Sequence, residues 1–167
     1  MAWGHFQANG HKFDLGHLDP FTVRLESALP SGGHWRLRVS FGAHVFTRSW
    51  MDGDPPEMHF QDGATSRCFC PKRCAHSVYL PEVFRRAALG RVFLTSKERF
   101  AFVANPPGAA QPYSVFFKMR RATKNYDALV DVVSAYERPH LKGVKGMPFQ
   151  RAVDLIASGA GFEWPKK

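Results

Sequence analysis

The residues best equipped for chemistry lie in two neighbouring segments, YSVFFKMRR (113–121) and VVSAYER (132–138). Read with a period of two, Ser114, Phe116, Lys118 and Arg120 share one face of the first, and Val115, Phe117 and Met119 share the other. In the second, Ser134, Tyr136 and Arg138 fall on a common face, so antiparallel pairing would bring hydroxyls and cations into one patch. That patch is equipped to hold a phosphate. Cutting RNA without a metal needs a base for the 2′-hydroxyl, an acid for the 5′-oxygen and fixed positive charge for the phosphorane. Lys118, Ser134 and Tyr136 could share those roles with His44, which lies in FGAHVFTRSW with Arg48 four positions on. A plainer reading stands beside this one. Lys118, Arg120 and Arg121 would also serve as a solvated strand edge that resists aggregation, and His44 as a hydrogen-bonded structural group. His76 and His140 are lesser candidates.

The run RCFCPKRCAH (67–76) places Cys68, Cys70, Cys74 and His76 within nine residues, in principle a Cys3His set for zinc. A single residue between Cys68 and Cys70 strains tetrahedral ligation, since structural sites usually leave two to four. Small buried thiols, or a reactive thiolate beside Lys72 and Arg73, are the alternatives, and neither a metal nor another cofactor is expected. Three cysteines so close together make no disulfide framework. His5, His11 and His17 recur every six residues and read as polar decoration of the N-terminus. No phosphate-binding glycine loop, zinc-protease HExxH or GxSxG serine elbow occurs, so nucleotide hydrolysis, zinc proteolysis and esterase chemistry lack their usual support.

Charge points the same way as the patch. Lys and Arg number 23 against 14 Asp and Glu, a net charge of +9, and such a field draws polyanions. Arg36, Arg38, Arg48, Arg120, Arg121 and Arg138 are the candidates for contacting RNA or another nucleic acid; an acidic protein partner is the other kind the charge would suit. Most of the 15 phenylalanines must be core, while Trp3, Trp50 and Trp164 lie near loops or ends and could stack on bases. No apolar run approaches the roughly 20 residues that cross a bilayer, and MAWGHFQANG lacks the order of a secretion signal. A soluble cytoplasmic protein with no membrane partner is expected.

The elements that must position these residues follow from periodicity. FTVRLESA (21–28) and HWRLRVSF (34–41) both alternate, with the turn LPSGG between them, and predict a hairpin greasy on one face and basic on the other. Residues 51–66, with four acids, no Lys or Arg and a Pro-Pro pair, read as an exposed loop. LPEVFRRAAL (80–89) carries Pro early and Gly90 just beyond, the start and stop of a short helix with Val83, Phe84 and Ala87 inward. Strands are predicted at 91–95, 98–104, 113–120 and 129–138, with a tight connection at Ser96-Lys97, and MPFQRAVDLIAS (147–158) has the spacing of an amphipathic helix. The 167 residues should form a single α+β domain, a mainly antiparallel sheet with two or three short helices and flexible ends at 1–12 and 159–167.

YSVFFKMRRA followed by VVSAYER, together with HWRLRVSFGAHVFTRSW, RCFCPKRCAHSVYLP and FQRAVDLI, resembles a group of small stand-alone bacterial proteins over most of residues 13–156. These are often carried on mobile elements, and some are labelled stationary-phase growth adaptation proteins. Where Cys74 stands, that group commonly has a tyrosine, which weakens zinc. More distantly, a strand bearing Lys and Arg before a strand ending in Ser-Ala-Tyr is similar to the barnase, EndoU, colicin and RelE class of ribonuclease toxins. This likeness implies a helix-then-sheet fold and a metal-independent endoribonuclease of toxin type, for which an antitoxin partner would be expected. By position it assigns phosphate binding to Lys118, Arg120 and Arg138, and proton transfer or orientation to His44, Ser134 and Tyr136. The alternative is a non-catalytic accessory protein of a mobile element or phage-defence system that binds nucleic acid or inhibits a partner.

Overall fold

The computed structural model describes residues 2–96, 99–138 and 145–160. The chain begins with a hairpin of β1 (His5–Ala8) and β2 (His11–Asp14), turned by Asn9 and Gly10, both at positive φ (50° and 73°), the geometry a two-residue hairpin loop requires. This hairpin packs through Phe6 and Phe13, whose rings lie 4.4 and 4.6 Å from Phe69.

Next come β3 (Phe21–Glu26) and β4 (His34–Phe41), the predicted hairpin, with Phe21 opposite Val39 and Glu26 opposite His34. A 3-10 turn at Ala43–Val45 leads to β5 (Thr47–Ser49). The stretch expected as an exposed loop contains β6 (His59–Asp62) and the start of β7 (Thr65–Phe69), and β5, β7 and β6 make a small antiparallel sheet. Aromatic packing holds it: Phe46 sits 5.1 Å from both Trp3 and Phe60. Two short helices follow, α1 (Pro71–Ser77) and α2 (Leu80–Arg85), each with proline in its first turn, where the missing N–H costs nothing.

The second half runs through β8 (Arg91–Ser96), β9 (Arg99–Ala104), β10 (Tyr113–Arg121), β11 (Ala128–Glu137) and β12 (Gly146–Pro148) to α3 (Phe149–Ala157). The main sheet has seven strands in the order β12-β8-β9-β10-β11-β4-β3, antiparallel except where β11 lies parallel to β4. The molecule is therefore α+β with a mainly antiparallel sheet and three short helices, as expected. The predicted connection at Lys97 lies outside the described residues, as do His140, Trp164 and the last seven positions of the expected C-terminal end. No helix among the described residues is long and apolar enough to cross a membrane.

One face of this sheet is the core. Leu37, Val39, Val115, Phe117, Val130 and Val132 are all at most 1 % exposed, and α2 and α3 cover them. Phe84 of α2 packs 5.5 Å from both Phe102 and Phe117, and Phe149 of α3 lies 5.2 Å from Phe102. Each such ring contributes roughly 1.5–3 kcal/mol by leaving water. A buried carboxylate locks α3 in place: Asp154 accepts from Ser27 Oγ at 2.9 Å, Trp35 Nε1 at 2.8 Å and the Ala28 N–H at 3.3 Å. The other face carries the functional candidates.

Candidate nucleic-acid interface

Register decides what that outer face presents. Thr22, Arg24 and Glu26 of β3 point away from the core, opposite Arg38, Arg36 and His34 of β4. Parallel pairing then sets Leu129 beside Arg38 and Asp131 beside Ser40, and β10 places Lys118 opposite Asp131 and Arg120 opposite Leu129. Arg24, Arg36, Arg38, Lys118 and Arg120 thus project from one side, against the carboxylates of Glu26 and Asp131. Asp131 is occupied: it accepts from Ser40 Oγ at 2.6 Å and lies 3.7 Å from Arg120 Nε. Arg24 faces Arg36 directly, a like-charge pair that is unfavourable across strands unless an anion sits between.

The loop between β10 and β11 completes the basic end. Asp127 accepts from the Arg36 N–H at 2.7 Å and its own N–H donates to the Arg36 carbonyl at 2.8 Å. This ties Tyr126 between two guanidiniums, Arg36 and Arg38 at 5.6 and 5.7 Å from its ring centre. Arg38 donates to the Tyr126 hydroxyl at 3.3 Å. That hydrogen bond, with a second involving Thr22, lowers the phenol below its ordinary pKa.

The other end is aromatic. A bulge leaves Val133 without a partner on β10, so Phe117 pairs with Val132 but Phe116 pairs with Ser134 and Ser114 with Tyr136. The Phe116 and Tyr136 rings stack at 5.5 Å and 28°. Each carries a guanidinium on a face, Arg138 at 5.9 Å from Phe116 and Arg73 at 5.3 Å from Tyr136. Arg73 is itself fixed by α1, donating through Nη1 to the carbonyls of Thr47 at 2.7 Å and His44 at 3.2 Å.

Lys118, Arg120, Ser134, Tyr136 and Arg138 therefore share one region of the sheet, and Arg36 and Arg38 share the same face. Three of the expected residues lie apart. Arg121 falls on the opposite side of β10 by simple alternation, and its guanidinium abuts Gly159 after α3. Arg48 sits on the small sheet and donates through both Nη atoms to the Asp54 carboxylate, one bond at 2.7 Å; this holds Asp54 down at about 2 and leaves Arg48 little free charge. His44 lies on the 3-10 turn with Nε2 at 3.8 Å from Asp62. No hydrogen bond or ion pair joins it to Lys118, Ser134 or Tyr136 among the described residues. Burial first, then Arg67 and Arg73 nearby, push its pKa down, so the imidazole is neutral near pH 7.

Cys68 and Cys74 are buried and Cys70 half-buried, and burial raises Cys68 and pushes Cys74 up to about 11. Among the described residues no three His, Cys, Asp or Glu side chains are grouped to hold a metal ion. His17 proves less decorative than its spacing suggested, hydrogen-bonding Ser77 Oγ at 2.7 Å.

Arg24, Arg73, Tyr113 and Tyr126 were not among the predicted site residues. Arg24 was legible from the same alternation as Arg36 and Arg38; Arg73 and Tyr126 come from a helix and a loop whose docking no local pattern encodes. The model of the YjaZ family matches residues 5–156. The chain belongs to the YjaZ family. No curated protein and no solved structure matches it significantly. The YjaZ match runs from β1 into α3, so both ends of the outer face lie inside it.

Proposed function

We propose that this chain binds single-stranded RNA across the outer face of the seven-stranded sheet. The observation that carries the reading is the stacked Phe116–Tyr136 pair beside rows of cations on one open sheet face. Single strands need a track of positive charge for the backbone and aromatic faces for unstacked bases, and stacking contributes about 1–3 kcal/mol per base. Arg73 and Arg138 now cover those rings and can exchange ring contact for phosphate as a base slides in. Phosphate contacts at the Arg24–Arg36–Tyr126 end would set the strand's direction without reading its sequence.

Cleavage is the second reading, favoured by the placing of Lys118, Ser134 and Tyr136 in one region of the basic face; His44, apart on its 3-10 turn beside Asp62, takes no part in it. Lys118, Ser134 and Tyr136 would then fix and protonate the phosphate. A single experiment addresses both. Labelled single-stranded RNA is titrated in EDTA, read by anisotropy and then run on a gel. Binding should be strong at low salt, and Tyr136→Ala should weaken it by about fivefold to a hundredfold while its melting curve stays cooperative. RNA that does not bind, or a variant that binds like the parent, refutes the interface; intact RNA after prolonged incubation removes the nuclease.

A further inference from the structure

Tyr113, at the start of β10, is 1 % exposed, and its hydroxyl makes no hydrogen bond among the described residues. Leaving a buried hydroxyl without an acceptor costs on the order of 1–3 kcal/mol, so a partner from outside the chain is the natural complement. The phenol lines a cleft of about 210 Å³ together with Cys70, Lys72, Arg73, His76, Tyr136 and Glu137. His76 is 8 % exposed, and its ring meets that of Tyr113 edge-on at 5.6 Å. Two buried polar side chains that hold no bond to each other thus border the same space.

The rest of the lining says what would satisfy them. The hydrogen bonds Arg73 makes among the described residues both leave through Nη1, so its other N–H groups have no hydrogen-bond acceptor among them. Glu137, the one carboxylate, is engaged at both oxygens: Lys72 Nζ donates to Oε2 at 2.7 Å and the Ala110 N–H to Oε1 at 3.0 Å. Two cations against one carboxylate leave a surplus of positive charge, and the phenol, guanidinium and imidazole all offer protons. A small group with several acceptor oxygens and negative charge answers that set.

We propose that this cleft is a phosphate site, taking either free inorganic phosphate or the terminal phosphomonoester of a nucleic-acid strand. Tyr113, Arg73 and His76 donate to its oxygens, and Tyr136 walls it off from the sheet face. The site shares Arg73 and Tyr136 with the proposed strand interface but does not depend on strand binding at Arg36 and Arg38.

The test compares thermal midpoints and calorimetric titrations with sodium phosphate against sodium chloride at matched ionic strength. Phosphate should raise the midpoint of the parent protein specifically. Tyr113→Phe, which deletes only the orphan hydroxyl, should melt at or above the parent without phosphate and bind phosphate about tenfold more weakly. His76→Gln serves the same purpose should Tyr113→Phe fail to accumulate. Arg36→Gln combined with Arg38→Gln should leave phosphate binding intact, which separates this site from the strand interface. Uridine-rich oligonucleotides with 5′-phosphate or 5′-hydroxyl ends distinguish the sources: a preference for the phosphorylated end identifies a strand terminus, and equal binding beside a clear inorganic phosphate signal identifies the free ion. No specific phosphate effect, or a Tyr113→Phe protein that binds phosphate like the parent, overturns the proposal.

Discussion

Replacing Arg36 and Arg38 together by glutamine separates charge used for binding from charge used for folding. Arg36 stands opposite Arg24, and both substituted residues lie against the Tyr126 ring. Cross-strand like charges are unfavourable by a few tenths of a kcal/mol to about 1 kcal/mol, so neutralising Arg36 should leave the melting temperature unchanged or slightly higher. Binding should behave in the opposite sense. Away from Arg138, which covers the Phe116 ring, Arg24, Arg36, Arg38 and Lys118 are the outer-face strand cations without a carboxylate ion pair among the described residues, whereas Arg120 shares Asp131. With four phosphate contacts on a single strand, log K should fall against log salt with a slope of about −2.8, and with two contacts about −1.4. Between 50 and 200 mM salt the parent should therefore lose roughly 50-fold in affinity and the double variant roughly sevenfold. Anisotropy titrations of a labelled RNA at three salt concentrations measure both slopes. A double variant that keeps the parental slope, or loses affinity equally at every salt concentration, would show that these arginines do not meet phosphates.

Two further outcomes test the framework that supports the interface. Asp154→Ala leaves the Ser27, Ala28 and Trp35 donors without their acceptor and should destabilise the fold by about 3 kcal/mol, a fall of roughly 6–12 °C in a domain of this size, whereas Asp154→Asn, which keeps one acceptor oxygen, should lose clearly less in urea titrations. Burial lowers His17 and His44 below the 6.5 of a free imidazole, so the unfolded chain binds protons that the folded chain refuses. Stability should then be full above about pH 6.5 and decline as the pH falls from there through the folded values. A His44→Gln protein whose pH–stability profile is as steep as the parent's over that window would contradict this assignment.

Much of the fold was legible because its strands alternate. Phe21, Val23 and Leu25 against Thr22, Arg24 and Glu26, and the same order in 34–41, predicted the hairpin within a residue or two of its ends, and the spacing of Phe149, Ala152, Val153 and Ile156 predicted α3. The two missed hairpins turn at Asn9-Gly10 and Gly63-Ala64, with Asn9, Gly10 and Gly63 at positive φ. Their short strands are masked in the sequence by the acids and histidines that crowd both segments. The parallel pairing of β11 with β4 could not be read locally, since it joins segments about 90 residues apart. Yet that pairing brings the arginines of β4 onto the face that holds Lys118 and Tyr136. Arg121 illustrates the opposite case: the alternation that turned Lys118 and Arg120 outward already placed it on the far side.

The bulge at Val133 determines whether the outer face carries aromatic chemistry at all. In β11, Ala128, Val130 and Val132 face the core; unbroken alternation would send residues 134 and 136 inward after them and turn Ala135 to solvent. One extra residue reverses the parity, so Ala135 is 0 % exposed and packs inward while Ser134 and Tyr136 emerge opposite Phe116 and Ser114. It also aims the end of the strand at α1, where Arg73 meets the Tyr136 ring. A register fault that only re-aimed one side chain would be a local adjustment. This one moves a hydroxyl and a phenol from the core to the basic face, keeps a small alanine where the core needs it, and sets Tyr136 between the open sheet face and the Tyr113 cleft, so the proposed strand interface and the proposed phosphate site share one wall.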